Sequence, residues 1–183
     1  MATILSVCTG NICRSPASAL LLQGYLGDLL TATSAGTHAL VGVGVPPQML
    51  THLDADAVVL ASRDHAARQL NSELIDDADI IIAMAAEHRA HIVQQSPTAV
   101  HRTFLLDELA HAARAGARLD GASPRERLAH IPAAIGRYRP ELATMRVADV
   151  PDPYRGSQVQ YDETYRIIKD AIASLDGWVR AER

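Results

Sequence analysis

Short apolar runs alternate along the chain with longer segments in which apolar residues recur at helical spacing. Residues 3–8 are rich in β-branched side chains, end at a loop and predict a buried strand. Helical spacing follows over residues 16–28, and residues 31–34 predict a short second strand. The clearest buried strand is predicted over residues 79–84. Because right-handed crossovers place connecting helices on the faces of a sheet, this alternation predicts an α/β fold with a parallel sheet.

The same patterns predict the remaining elements. In chain order these are a short helix that opens at Pro46-Pro47, helices over 63–70 and about 86–95, a strand near 100–104, helices over 109–119 and 124–134, and a helix from Tyr161 to about Arg180. Ser123 followed by Pro124, with Glu126 in the next turn, is typical of a helix start. The last helix is amphipathic, with an apolar face suited to packing on the sheet.

The composition of the chain is that of a globular protein and argues against several kinds of partner. The chain has 183 residues, 48% of them apolar and 21% charged, which is typical of one globular domain. The net charge of −4 argues against non-specific binding of nucleic acid. Without a basic leader or an apolar run of membrane-spanning length, we expect a cytoplasmic protein with no membrane partner. No Cys or His pair at metal-ligand spacing accompanies the two cysteines, so we expect no metal and no cofactor.

The first predicted strand runs directly into Cys8-Thr9-Gly10-Asn11-Ile12-Cys13-Arg14-Ser15. Ser15 and Pro16 are a favoured N-cap and first helical residue, so we expect the next helix to begin there. The backbone N–H groups of a loop curled at a helix N-terminus bind an oxyanion, and Gly10 would relieve steric limits at the turn. Arg14 offers a planar fork of donors to two phosphate oxygens.

This segment therefore predicts a phosphate pocket with a nucleophile at its floor. The positive surroundings favour the thiolate of Cys8, which is the nucleophilic form. Ligands of α/β folds bind beyond the carboxyl ends of strands, where this loop is placed. The alternative is that Cys8 is only a small buried residue. The predicted phosphate-binding loop consists of Thr9, Gly10, Asn11, Ile12, Cys13 and Ser15.

A proton donor is predicted near the end of the chain, in Val150-Pro151-Asp152-Pro153-Tyr154. Displacing an alcohol or phenol from a phosphate monoester needs a nucleophile, charge stabilisation and a proton for the leaving oxygen. An Asp-Pro pair alone is usually a turn, but flanking prolines restrict the backbone that aims Asp152. Asp149 lacks that setting, and we assign it to the surface.

The segment from Val7 to Pro16 resembles the signature loop of the low-molecular-weight protein tyrosine phosphatases. The tract from Gly36 to Gly42 is most similar to bacterial members, including those paired with exopolysaccharide-assembly kinases. Further segments follow in the family's order, namely Ser34-Ala35-Gly36-Thr37, His65-Ala66-Ala67-Arg68-Gln69-Leu70, Ala78-Asp79-Ile80-Ile81-Ile82-Ala83-Met84 and Asp152-Pro153-Tyr154.

The resemblance implies one domain over residues 1–183. Its fold would be a three-layer α/β/α sandwich with a four-stranded parallel sheet in the flavodoxin-like order 2-1-3-4. Residues 107–148 exceed the family's usual connection and predict a helical insertion. Its helices lie either near the mouth of the site or in a packing layer far from it.

The resemblance also implies a phosphotyrosine phosphatase. Cys8 would attack phosphorus to form a phosphocysteine, Arg14 would bind the phosphoryl oxygens, and Asp152 would act as general acid and then base. The substrate would be a phosphotyrosine protein, with a bacterial tyrosine kinase as a candidate and inorganic phosphate as the product. The implied supporting residues are Asn11, Ser34 and His65 around the loop, Ser15 beside the thiolate, and Leu40 and Tyr154 at the substrate mouth.

Two questions stay open, namely what supports Arg14 and what Cys13 does. After Met84 the family frequently has a carboxylate or hydroxyl that supports the arginine, whereas this chain has Ala85 and Ala86. Cys13 either guards Cys8 by forming a disulfide after oxidation or fills space behind the loop. Five further histidines match no catalytic pattern and are assigned to surfaces or packing, namely His88, His91, His101, His111 and His130.

Two other activities remain as alternatives. An arsenate reductase can use the same scaffold, but such enzymes pass oxidation to further cysteines, and this chain has none after Cys13. A phosphoarginine phosphatase would use the same pocket on a different leaving group.

Overall fold

The centre of the molecule is a parallel sheet. The computed structural model describes residues 1–51 and 64–181. Four strands pair in the order β2-β1-β3-β4. They are β1 (Ala2–Cys8), β2 (Leu30–Gly36), β3 (Ile80–Ala83) and β4 (Thr103–Leu105). The predicted strand order is confirmed, and β4 begins later than predicted because a 3₁₀ helix (Pro97–His101) precedes it.

Helices cover both faces of the sheet. They are α1 (Arg14–Leu26), α2 (Pro47–Leu50), α3 (Ser72–Asp76), α4 (Ala86–Gln95), α5 (Leu106–Arg114), α6 (Pro124–Ala129), α7 (Ile131–Leu142) and α8 (Gln158–Arg180). Successive side chains of a strand point to opposite faces. Ile4 accordingly joins the larger apolar cluster with α1, α5 and α8, whereas Leu5 joins a smaller one with α3 and α4. The three-layer α/β/α fold is confirmed.

The segment 107–148 contributes to the larger apolar cluster. Leu109, Ile131 and Ile135 are buried there, and α5 and α6 each pack against both α7 and α8. Tyr165 and Ile172 on the predicted apolar face of α8 are also buried. None of the described helices is long and apolar enough to cross a membrane.

Three predicted helices differ from the structure. The helix over 63–70 is wrong for its described part, 64–70, and Arg63 lies outside the described residues. This stretch runs beside the end of β2, where Gln69 bridges Gly36. The helix over 109–119 ends at Arg114, because Gly116 takes a φ of 63° that terminates a helix. The helix over 124–134 is two helices, since Pro132 lacks the N–H that a continuous helix would use.

Candidate active site

Cys8 is the last residue of β1 and is buried. β1 lies between β2 and β3 in the sheet. The loop after Cys8 therefore lies at the topological switch point, where the chain connections leave on opposite sides of the sheet. α1 begins at Arg14 with Cys13 as its N-cap residue. The predicted capping role of Ser15 is therefore wrong, because its hydroxyl lies inside the first turn and contacts Cys8 instead.

The carbonyl oxygens of four successive residues accept hydrogen bonds from outside the loop. The pairs, donor first, are Thr37 N with Cys8 O (2.9 Å), His38 N with Thr9 O (2.9 Å), Leu40 N with Gly10 O (3.0 Å) and His65 Nε2 with Asn11 O (2.8 Å). In a trans peptide the N–H points opposite to the carbonyl of the same peptide unit, and none of the described peptides is cis. The N–H groups of residues 9–12 therefore face the inside of the loop, where they form an anion-binding concavity.

Asn11 fixes the bend of the loop. Its φ of 55° lies in the left-handed region, which asparagine tolerates better than most residues. Its amide donates to Ser15 Oγ at 3.0 Å and to Ser34 Oγ at 2.9 Å, and its Oδ1 accepts from Arg68 N at 2.9 Å. The predicted steric role of Gly10 is wrong, since an added Cβ would meet its nearest atom at an ordinary 3.5 Å.

His65 supports the same bend from the other side. The Asn11 carbonyl can only accept, so His65 carries its hydrogen on Nε2. Burial lowers the pKa of His65, which favours the neutral ring. The structure thus brings together Asn11, Ser34 and His65, the three residues that the family resemblance implied as a network around the loop.

Gly36 at the end of β2 is required by the close approach of the loop. A Cβ there would lie 2.5 Å from Thr9 O and 3.0 Å from Asn11 N. We expect Gly36→Ala to lower the free energy of unfolding by about 1–3 kcal/mol, as overpacking does. The control is Gly136→Ala in α7, where no atom lies within 4 Å of the added Cβ. It should raise stability by about 0.5–1 kcal/mol.

Urea denaturation of both glycine variants measures these changes. A Gly36→Ala protein as stable as the parent would show that the loop moves away from β2 without cost.

The Cys8 sulfur lies 2.9 Å from the Ser15 hydroxyl. Ser15 Oγ also lies 3.3 Å from Ala35 O, and its single hydrogen can go to either acceptor. A thiolate can only accept a hydrogen bond, so an ionised Cys8 takes that hydrogen from Ser15 at the shorter distance. Asn11 donates to the Ser15 oxygen and thereby orients that hydroxyl. The Ser15 hydroxyl is thereby placed within hydrogen-bond distance of the sulfur.

Arg14 is 4% exposed and lies against the loop that carries Asp152. Its Nη1 donates to Val150 O at 3.2 Å, and its Nη2 donates to Asp152 Oδ2 at 2.6 Å and to Thr9 Oγ1 at 3.3 Å. Its buried Nε has no hydrogen-bond partner among the described residues. The support for Arg14, which the sequence left open, therefore comes from a backbone carbonyl and from Thr9.

The two residues before Asp152 are held by hydrogen bonds to other elements. Val150 N donates to Met84 O at 2.8 Å beyond β3, and Thr164 Oγ1 on α8 donates to Pro151 O at 3.1 Å. The Asp152 carboxylate is 46% exposed. Asp149 is exposed as predicted, and it accepts from Ala86 N at the start of α4, where a carboxylate stabilises a helix.

A pocket opens over Cys8 with a polar floor and an apolar mouth. Its lining consists of Cys8, Thr9, Gly10, Ile12, Cys13, Arg14, His38, Leu40, Asp152 and Tyr154. The predicted mouth residues Leu40 and Tyr154 both line it. No residue of 107–148 does so. Within residues 1–51 and 64–181, no cluster of His, Cys, Asp or Glu is arranged to hold a metal ion.

Besides His38, which lines the pocket, sequence reasoning missed His88. Assigned to surface or packing, it is 1% exposed and its Nε2 lies 2.9 Å from Thr9 Oγ1 in the loop. Its position in the first turn of α4, directly after β3, could have indicated from the sequence that His88 lies near the loop. Because β1 and β3 are neighbours, their carboxyl ends meet at the same edge of the sheet.

Comparison with known proteins agrees with this architecture. The family model for low molecular weight phosphotyrosine protein phosphatase matches residues 3–127. The phosphatase Wzb of Escherichia coli K12 is 39% identical over 178 residues, covering 97% of this chain and 93% of its own. The match to this relative extends beyond residue 127, where the family-model match ends.

Solved structures give the same result. Vibrio vulnificus Wzb in complex with benzylphosphonate has a TM-score of 0.67 at 26% identity, covering 96% of this chain and 97% of its own. The YwlE arginine phosphatase of Geobacillus stearothermophilus has a TM-score of 0.68 at 25% identity, covering 96% and 91%. The chain belongs to the low molecular weight phosphotyrosine protein phosphatase family.

Proposed function

We propose that this protein hydrolyses phosphotyrosine in protein substrates, with Cys8 as nucleophile, Arg14 as phosphate ligand and Asp152 as general acid and base. The observation that carries the proposal is one pocket that contains all three side chains. Cys8 lies at the end of a strand, inward-facing amides surround it, and Arg14 contacts Asp152 at 2.6 Å. A sulfur nucleophile, an oxyanion site and a proton donor are what phosphate monoester cleavage needs.

In the first step the Cys8 thiolate attacks phosphorus and the bond to the tyrosine oxygen breaks. The phosphoryl oxygens bind the loop amides and Arg14, whose unpartnered Nε is available to them. The phosphoryl oxygens compete with Asp152 for Arg14 Nη2. This competition turns the exposed Asp152 carboxyl towards the leaving oxygen. Asp152 gives that oxygen its proton, so tyrosine leaves neutral and a phosphocysteine remains.

In the second step water attacks phosphorus and the sulfur–phosphorus bond breaks. The Asp152 carboxylate takes a proton from that water, which restores the acid. Inorganic phosphate leaves, and Ser15 stabilises the returning Cys8 thiolate from 2.9 Å. The charge stabilisation in both steps comes from Arg14 and the loop amides.

The walls of the pocket favour an aryl leaving group. Leu40 and Tyr154 stand at the mouth with 39% and 45% exposure, and Ile12 lines the interior. A phenyl ring can pack between such side chains. A phosphoarginine guanidinium requires acceptors, and among the described lining residues Asp152 is the sole carboxylate.

One assay separates the candidate activities. Peptides carrying phosphotyrosine, phosphoserine or phosphoarginine are offered alongside arsenate plus thiol reductant, and released phosphate or formed arsenite is measured. We expect the highest kcat/KM on phosphotyrosine. Faster turnover of phosphoarginine or reduction of arsenate would overturn the proposal. A bacterial tyrosine kinase, autophosphorylated on tyrosine, is the candidate protein substrate for the same assay.

We propose that Cys13 protects Cys8 from irreversible oxidation. Burial raises the pKa of the Cys13 thiol to about 12, so it is protonated and does not compete as nucleophile in the phosphatase reaction. Peroxide oxidises the Cys8 thiolate to a sulfenic acid. The Cys13 thiol then condenses with the sulfenic acid: the two sulfurs bond, and the thiol proton and the sulfenic hydroxyl leave as water.

The protective role is tested with Cys13→Ser. Wild type inactivated by peroxide should recover fully with dithiothreitol, and mass spectrometry should show a Cys8–Cys13 bridge. Cys13→Ser should lose most of its activity permanently. Equal recovery of both proteins without a bridge would mean that Cys13 only fills space behind the loop.

A further inference from the structure

The His88 side chain is buried beside the phosphate-binding loop, and its two ring nitrogens have different surroundings. Its Nε2 lies 2.9 Å from Thr9 Oγ1 and 3.5 Å from a carboxylate oxygen of Glu87. Its Nδ1 is buried with no hydrogen-bond partner among the described residues. These neighbours determine which ring nitrogen carries hydrogen.

Two observations place the hydrogen on Nε2. A lone pair on that nitrogen would face the Glu87 carboxylate at 3.5 Å, which is repulsive. A hydrogen on Nδ1 would be a buried donor without an acceptor, and such orphaned N–H groups are rarer than unpaired acceptors. Burial lowers the pKa of His88 to about 4, and the Arg14 charge acts in the same direction. The ring is therefore neutral, with one N–H.

The direction of the His88 hydrogen bond decides what the Thr9 hydroxyl can do. His88 Nε2 donates to Thr9 Oγ1, and Arg14 Nη2 donates to the same oxygen at 3.3 Å. A hydroxyl has two acceptor lone pairs and one hydrogen. With both lone pairs occupied, the hydrogen remains available as a donor. Thr9 lines the pocket together with Cys8 and Arg14.

We propose that the Thr9 hydroxyl donates a hydrogen bond to a phosphoryl oxygen of the substrate, and that His88 is the positioning residue that turns it to do so. The same oxygen anchors Arg14 Nη2, so His88 also restricts where that guanidinium lies. The inference rests on the proposed phosphatase function. It assigns a substrate-binding side chain and the buried group that orients it.

The test is a double-mutant cycle on Thr9 and His88 with para-nitrophenyl phosphate as substrate and inorganic phosphate as competitive inhibitor. Thr9→Val should lower kcat/KM and phosphate affinity about 10- to 100-fold, as expected for a hydrogen bond to a charged group. Thr9→Ser keeps the hydroxyl and should stay within about threefold, since no hydrogen bond is lost. His88→Leu should cost about tenfold when Thr9 is present and nothing when residue 9 is valine, since coupled residues are non-additive.

Controls separate positioning from packing. His88→Gln retains an N–H donor and should recover much of the lost activity, and it serves as the test variant if His88→Leu does not fold. His101→Ala, an exposed histidine before β4, should match wild type. Thermal unfolding of every variant reports stability separately from kcat/KM.

The outcomes distinguish this inference from the function on which it rests. If wild type neither cleaves the substrate nor binds phosphate, the proposed function fails. If wild type is active but His88→Leu costs the same in both residue 9 backgrounds, His88 is a core residue and the inference is overturned. Unchanged phosphate affinity in Thr9→Val would overturn the direct contact.

Discussion

Replacing Cys8 with serine should abolish turnover while phosphate still binds. A serine hydroxyl is not ionised near neutral pH, so it is a much weaker nucleophile than the Cys8 thiolate. His65 and His88 do not contact position 8, since His65 donates to Asn11 O and His88 contacts Thr9. Loss of a covalent nucleophile costs about 10⁴-fold or more in kcat. Arg14 and the loop amides are untouched, so the anion site persists.

Two measurements check the Cys8→Ser prediction. Turnover of para-nitrophenyl phosphate should fall to background, whereas calorimetry should give a phosphate or vanadate affinity close to that of wild type. Cys13→Ser is the matched control and should turn over substrate. Iodoacetate should alkylate Cys8 first in wild type, and phosphate should block the reaction. Hydrolysis by Cys8→Ser at a substantial rate would rule out the phosphocysteine.

Replacing Asp152 with asparagine should slow the enzyme in proportion to how much the leaving oxygen needs a proton. General acid catalysis contributes about 10²–10⁴-fold, so phenyl phosphate should lose about that factor in kcat. The para-nitrophenolate ion leaves readily without a proton, and its ester should be affected least. The variant should also bind phosphate at least as well, because a neutral asparagine competes less strongly for Arg14 Nη2 than the carboxylate that contacts it at 2.6 Å.

A series of aryl phosphates with different leaving-group acidity measures this effect as a slope. The matched control is Asp149→Asn, an exposed carboxylate that contacts the start of α4 and does not line the pocket. It should leave the slope unchanged. An equal loss for every leaving group in Asp152→Asn would show that Asp152 binds substrate or holds Arg14 without donating the proton.

Local sequence determined the part of the site that is built from one contiguous segment. Cys8 and Arg14 lie at the two ends of one loop, and the apolar run before it forms β1 as predicted. Hydrophobic periodicity also located β2, β3 and the apolar face of α8. These features depend on neighbours within a few residues along the chain.

Segments whose backbone conformation is set by hydrogen bonds to distant parts of the chain were predicted less well. Residues 64–70 have a sequence compatible with a helix, but their backbone groups bond to the end of β2. The left-handed residue of the loop is Asn11, whose side chain is held by Ser15, Ser34 and the Arg68 backbone. Tertiary hydrogen bonds override local preference at both places.

The sequence by itself determined which residue types meet the chemical need: a cysteine, an arginine and a carboxyl with proline neighbours. Only the tertiary structure decided how they are oriented. Asp152 is 138 positions from Arg14, and their 2.6 Å contact depends on how Val150 meets Met84 beyond β3. His88 sits in a polar stretch typical of an exposed helix, yet packing of α4 on the loop buries it against Thr9. Burial and hydrogen-bond direction arise from contacts between distant segments, which spacing along one chain does not encode.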